Sequence, residues 1–98
     1  MQKWAFIYTL SAESTEPRQD DIGDDGCRLI AVGVPSPSDA AAVIEDLVAA
    51  GVELIECCGA FGPKESAAVL DAVGNRVPVG FVTYPCSEAT GLHQLFGS

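Results

Sequence analysis

The chain has 98 residues, 48% of them hydrophobic, which is enough for one small domain with an apolar core. Fourteen acidic residues against five basic ones give a net charge of −9, which disfavours binding to nucleic acid or to an anionic membrane surface. No apolar run is long enough to cross a bilayer, and the N-terminus lacks the pattern of a signal peptide. We therefore expect a single cytoplasmic domain over residues 1–98, with no nucleic-acid or membrane partner.

The first strand pattern covers residues 4–10, which are rich in aromatic and β-branched side chains. Both faces of this strand are mostly apolar, so we expect both to be covered. Residues 11–26 are acid-rich, but their spacing does not fit a calcium loop, and we interpret them as a hydrated excursion. Residues 18–22 can add a short strand that pairs as a hairpin through the following Asp-Asp-Gly turn.

The rest of the chain alternates strands with helices. The predicted strands cover 28–34, 52–57 and 77–84, and the predicted helices start near residues 37, 63 and 87 and end near 50, 73 and 96. Two successive β-α-β units predict parallel strands with right-handed crossovers. In such a sheet, ligands bind beyond the carboxyl ends of the strands.

The predicted fold class is therefore α/β, with a mostly parallel sheet of about four strands and a β-α-β-α-β core that is similar to a barrel fragment. The alternative is a ferredoxin-like or otherwise mixed α+β sheet, if the acidic excursion supplies an antiparallel strand.

Residues 52–63 contain three of the four candidate catalytic residues, because an apolar strand here runs into a glycine-bracketed turn and a helix start. Glu56 lies near the end of the strand and can act as a general base, or it can be a rim carboxylate paired with a neighbour. Cys57 and Cys58 lie near the helix N-terminus, where a thiol can become nucleophilic. The single histidine, His93, is the only candidate imidazole base. The alternative for both cysteines is simple packing in the core.

The same turn predicts a small anionic ligand. Its candidate binding residues are Gly59, Phe61, Gly62, Lys64 and Tyr84. Free amides at a helix N-terminus can hold an anion, and the lysine adds a positive charge nearby. The alternative is that the glycines serve tight packing between strand and helix.

We expect no cofactor and no metal site. The four cysteines, Cys27, Cys57, Cys58 and Cys86, contain no C-x-x-C pair, and a zinc site that combined Cys57 or Cys58 with Cys86 and His93 would match no known spacing. Adjacent cysteines on a strand point to opposite faces, so they are poor partners for each other or for one metal ion. We therefore expect all four thiols to be reduced.

Three stretches, D-D-G-C-R-L-I-A-V-G-V-P-S, L-V-A-A-G-V-E-L-I-E-C-C-G-A-F-G-P and V-P-V-G-F-V-T-Y, resemble a family of small bacterial proteins of unknown function. The resemblance covers almost the whole chain and implies no particular activity.

A weaker resemblance covers residues 38–84, which look like the opening β-α-β-α-β of the ketohydroxyglutarate and phosphogluconate aldolases. In those (β/α)8 barrels a helix ending in A-G-[IV] leads into a strand with a catalytic glutamate at its end, the position that Glu56 matches. This chain has Gly59 and Ala60 where that family places a basic residue, and the Schiff-base lysine comes from a later strand of the barrel. The resemblance implies an architecture with a site at the strand carboxyl ends.

We therefore expect a small oligomeric α/β protein that binds a small anionic ligand at the strand carboxyl ends. The alternative is a small enzyme that uses Glu56 as a general base, with Cys57 or Cys58, on an anionic or carbonyl-containing substrate. We also expect a homodimer or a higher homo-oligomer. Helices from consecutive crossovers cover one sheet face if the strand order advances in one direction, and a second copy can then cover the aromatic side chains of the first strand.

Overall fold

The computed structural model describes residues 1–97, which form one sheet and a layer of helices. The strands are β1 (Lys3–Thr9), β2 (Arg18–Asp24), β3 (Cys27–Val34), β4 (Ile55–Cys57) and β5 (Val79–Phe81). The helices are α1 (Ile44–Ala49), α2 (Pro63–Val73) and α3 (Ala89–Phe96), and two 3₁₀ segments, Pro37–Val43 and Cys86–Glu88, precede α1 and α3. The predicted α/β class is confirmed.

The strand order across the sheet is β2-β3-β1-β4-β5. Strand β1 pairs in parallel with both β3 and β4, and β5 pairs in parallel with β4. Strand β2 pairs antiparallel with β3, so the acidic excursion supplies an edge strand and the sheet is mixed. Strands β3 and β4 follow each other in the chain but are separated by β1, whereas successive strands of a barrel are neighbours.

Several elements are shorter than the sequence pattern predicts. Strand β4 has three residues, although Glu53 already donates its amide to the Lys3 carbonyl at 2.8 Å. Strand β5 begins after Pro78, which has no amide to donate to a strand neighbour. The predicted helix from residue 37 begins as a 3₁₀ segment and becomes α-helical only at Ile44.

Helices α1 and α2 pack against each other and lie on the same face of the sheet. Crossovers from β3 to β4 and from β4 to β5 advance in one direction, and right-handed connections of this kind place their helices on one side. The core is formed between this helix layer and the sheet. Its fully buried larger side chains are Ile7, Val34, Ile44, Ile55, Cys57, Val69 and Val73.

Within residues 1–97, no helix layer of this kind covers the sheet face away from α1 and α2, and we call this face the open face. Residues paired across neighbouring strands share a face, so the strand register assigns its side chains. They are Trp4, Phe6 and Tyr8 of β1, Arg18, Asp20 and Ile22 of β2, Leu29, Ala31 and Gly33 of β3, Glu56 of β4 and Gly80 of β5. The open face is thus largely apolar, with charged side chains near its two sides.

The one-sided core generates a stability prediction. Ile55 is 0% exposed and Leu70 is 49% exposed. We expect Ile55→Ala to lower the free energy of unfolding by about 2–5 kcal/mol, because it leaves a cavity beneath the helices. The matched control Leu70→Ala should change it by no more than about 0.5 kcal/mol. Urea titrations at one fixed protein concentration measure both values, and similar losses for the two variants would contradict this description of the core.

Candidate functional site

The two chain segments that leave β4 and β5 enclose a cleft at the carboxyl edge of the sheet. One segment is the turn that leads into α2, and the other runs through the second 3₁₀ segment into α3. The cleft has a volume of about 560 Å³, within the range typical of small-molecule sites. It is lined by Cys58, Gly59, Ala60, Tyr84, Leu92, His93 and Phe96.

Backbone hydrogen bonds hold both segments to the sheet where they leave it. The Cys58 amide donates to the Ile7 carbonyl at 2.9 Å, and the Val82 amide donates to the Cys57 carbonyl at 2.9 Å. Gly59 lets the tyrosine ring approach the turn, because a Cβ atom at this position would lie 3.0 Å from Cε2 of Tyr84. The turn and Tyr84 therefore form one wall of the cleft.

The polar groups of the cleft are the thiol of Cys58, the hydroxyl of Tyr84 and the imidazole of His93. Each can take part in a hydrogen bond with a ligand. The remaining side chains that line it, from Ala60, Leu92 and Phe96, are apolar, and no lysine or arginine of residues 1–97 lines it. The arrangement suits a ligand that has an apolar body and one polar group.

Four of the residues predicted from the sequence, Cys58, Gly59, Tyr84 and His93, come together in this cleft. Glu56 lies elsewhere, on the open face, where it lines a separate groove of about 170 Å³ with Gly80, Phe81 and Val82. Its carboxylate is exposed to solvent. A general-base role for Glu56 would therefore need a substrate bound along the open face rather than in the cleft.

Cys57 points the other way from Cys58 and is 0% exposed in the core. Burial, with a smaller contribution from the neighbouring Cys58, raises the pKa of the Cys57 thiol to about 12. A thiol with this pKa stays protonated at neutral pH, so the geometry disfavours Cys57 as a nucleophile and agrees with the packing interpretation.

The start of α2 does not form part of the cleft. The Gly62 amide donates to Oε1 of Glu65 at 3.2 Å, so this side chain of the helix occupies an amide that an anion would use. Phe61 packs against the core, with its ring centroid 6.4 Å from that of Phe81. Lys64 is exposed on the first turn of the helix. The expected anion-binding residues therefore divide between the cleft and a separate helix terminus.

Ala60, Leu92 and Phe96 line the cleft and were not among the residues predicted from the sequence. Leu92 and Phe96 are four residues apart on a short helix, so they share one face. The amphipathic pattern of residues 89–96 carried this signal.

Neither a metal cluster nor a membrane-spanning helix is found in residues 1–97. No three His, Cys, Asp or Glu side chains of this part of the chain are placed to hold a metal ion together. None of its helices is long and apolar enough to cross a membrane.

The burial of Cys57 predicts an order of thiol modification. Iodoacetamide should alkylate the exposed Cys27 and Cys86 and the half-buried Cys58 in the folded protein, and it should reach Cys57 only after unfolding. Peptide mass spectrometry of a time course measures each rate. The control Cys57→Ser should keep the three native-state adducts of the wild type, and rapid labelling of Cys57 in the folded protein would contradict its place in the core.

Comparison with known proteins identifies a family but no activity. Neither the curated proteins nor the solved structures include a match to this chain. A family model described as a family of unknown function, DUF6506, matches residues 2–97. Because this match covers almost the whole chain, the protein belongs to the DUF6506 family.

Proposed function

We propose that the protein binds a small organic molecule in the cleft at the carboxyl edge of the sheet. The observation that carries this proposal is the cleft itself, about 560 Å³ in volume, with three hydrogen-bonding side chains among apolar ones. The position agrees with the general rule that open α/β sheets bind ligands beyond the carboxyl ends of their strands.

The chemistry of the lining narrows the ligand. The Tyr84 hydroxyl and the Cys58 thiol are donors, and the His93 imidazole donates through one ring nitrogen or both. Donors suit a carboxylate or carbonyl oxygen, which keeps the anionic ligand expected from the sequence within the proposal. The apolar side chains suit a hydrocarbon part of the same molecule. Inorganic phosphate offers no such part and should bind poorly.

The proposed setting is the bacterial cytoplasm. All four cysteines are free thiols, and Cys27 and Cys86 are exposed on the surface. Thiols persist in reducing compartments, whereas oxidising ones favour disulfides.

A ligand screen tests the binding proposal. We expect carboxylates, aldehydes and ketones of four to eight carbons to raise the thermal midpoint, because a ligand that binds only the folded state stabilises it by mass action. Inorganic phosphate should give no shift. If no organic compound raises the thermal midpoint, or if phosphate alone does, the result would contradict the proposed binding in the cleft.

Two variants test whether a compound that raises the thermal midpoint binds in the cleft. Tyr84→Phe and His93→Gln each remove or alter one polar group of the cleft and should weaken binding by about ten-fold, since a lost hydrogen bond to a bound group costs on this scale. The matched control Lys64→Ala removes the charge at the separate start of α2 and should leave the affinity unchanged. The opposite pattern would indicate that the ligand binds at the start of α2 and not in the cleft.

We also propose a catalytic use of the same cleft, because Cys58 and His93 both line it. In this second candidate function the Cys58 sulfur adds to the carbon of a carbonyl group while His93 accepts the thiol proton. The electron pair of the broken C=O π bond passes to the oxygen, which takes this proton from His93. Glu56 is the base of the alternative enzyme expected from the sequence, and its place on the open face gives it less support than this pair.

Thiol kinetics test the catalytic proposal without a known substrate. In the wild type, a small carbonyl electrophile such as an α-haloketone should modify Cys58 faster than the more exposed Cys86, which serves as the internal reference. His93→Gln should remove the advantage of Cys58 and leave the rate at Cys86 unchanged. If Cys58 in the wild type is modified more slowly than Cys86, the result would contradict catalysis by Cys58 and His93. It would not contradict the binding proposal.

A further inference from the structure

We propose that the open face is the contact surface of a two-fold homodimer, and that the second copy closes the ligand cleft. The first observation is that residues 1–97 place a helix layer on one face of the sheet only. The open face carries Trp4, Phe6 and Tyr8 in its centre, each half-buried, and Ile22, which is 53% exposed, on β2. Soluble monomers rarely leave a contiguous apolar surface of this kind in water.

The size of the open face matches what a dimer needs. Strands β1 to β3 have seven or eight residues and β4 and β5 have three each. With about 4.8 Å between strands and about 3.3 Å per residue, the face measures on the order of 450 Å² in projection. The accessible area of side chains exceeds the projected area, and the exposed Val82 and Tyr84 extend it beyond β5. A stable interface buries about 800 Å² per partner. A second sheet of the same size therefore covers the face fully.

The distribution of charge favours a second copy over a different partner. Two molecules of net charge −9 repel each other, so they associate best through a surface with few acids. Asp20 and Glu56 are the acids within the open face, and Asp24 at its border is engaged in the hairpin turn, where it accepts hydrogen bonds from the amides of Gly26 and Cys27. Most of the fourteen acids lie elsewhere, so a basic partner protein would prefer the other surfaces.

The remaining charges of the open face are arranged to complement a second copy. Arg18 lies on edge strand β2 and Glu56 lies on β4, toward the opposite edge. A two-fold axis parallel to the strands stacks β2 of one copy over the β4–β5 side of the other, so that each Arg18 approaches a Glu56 of the second copy. Their register positions differ by two residues, about 7 Å along the strands, which an arginine side chain can span.

Both partners of this pair are available. The side chain of Arg18 is 69% exposed and pairs with Asp20 through Nε at 2.9 Å and Nη2 at 3.5 Å, which leaves the Nη1 donors free. Neither ion pair found within residues 1–97 involves Glu56. The interface would thus give a partner to an otherwise isolated carboxylate.

The cleft opens on the same side as the open face. Cys58 follows Glu56 at an alternate position, as Tyr84 follows Gly80 and Val82, and alternate positions along an extended chain share a face. Helix α3 forms the far wall, and its Leu95 and Phe96 are 76% and 81% exposed. A second copy seated on the open face covers these side chains and closes the cleft. This last step rests on the proposed ligand site, whereas the dimer does not.

Sedimentation velocity without ligand tests the dimer. At micromolar concentration the wild type should sediment at twice the chain mass of 10.2 kDa. Ile22→Glu places a charge in the contact and should give a monomer. The matched control Leu70→Glu alters a side chain of similar exposure, 49%, on α2 and should remain dimeric. A monomeric wild type, a dimeric Ile22→Glu, or dissociation of both variants would each overturn the proposal.

A charge exchange tests the orientation of the two copies. Arg18→Glu and Glu56→Arg should each raise the dissociation constant about ten-fold or more, as close interfacial charge pairs do. The double variant should return it to within a few-fold of the wild type, and circular dichroism confirms that each variant is folded. Additive losses in the double variant would overturn the Arg18–Glu56 pairing. Neither experiment contains a ligand. A negative result here can therefore be distinguished from a ligand screen in which no compound raises the thermal midpoint.

Discussion

The handedness of two consecutive crossovers is the constraint on which the rest of the structure depends. The chain passes from β3 over β1 to β4, and then to β5, always in the same direction. Right-handed connections then place α1 and α2 on one face, and the core forms on that side alone. The aromatic side chains of β1 are left on the other face, where the part of the chain that the structure describes supplies no equivalent layer of helices.

The candidate site follows from the same topology. Parallel strands bring the segments after β4 and β5 to one edge, and the cleft forms between them. Helix α3 continues from the edge strand and makes its main contacts with the 3₁₀ segment before it. None of its eight residues is buried, so its apolar side chains are available to a ligand or to a second copy. Proposed ligand binding and proposed self-association therefore use adjoining surfaces.

Local patterns in the sequence predicted the parallel core, the hairpin through the Asp-Asp-Gly turn and the approximate ends of the helices. These features could be predicted because turn chemistry, helix capping and hydrophobic periodicity involve residues that are close together in the chain. They also showed that Cys57 and Cys58 point to opposite faces. Which of the two is buried depends on the face that the helices cover, and that is a property of the strand order rather than of the pair.

The cleft was only partly predictable from the sequence, because local patterns specify some of its lining residues but not how distant segments approach each other. Its strand-end residues, Cys58 and Tyr84, follow from the rule about carboxyl edges. The approach of His93 depends on the path of residues 82–88, which no local pattern specifies. Glu56 lies near the end of the strand as predicted, but the pleat directs it to the open face instead of the cleft. Its position suggested a role only together with that of Arg18, which lies on the same face toward the opposite edge of the sheet.

The single tryptophan, Trp4, lies on the open face and reports on it directly. Acrylamide quenching of its fluorescence, measured while the wild type is diluted from tens of micromolar to tens of nanomolar, tests whether that face is covered by a second copy. We expect weak quenching at high concentration that strengthens as the dimer dissociates, up to the value of the Ile22→Glu variant. Strong quenching that is independent of concentration and equal in wild type and variant would contradict it.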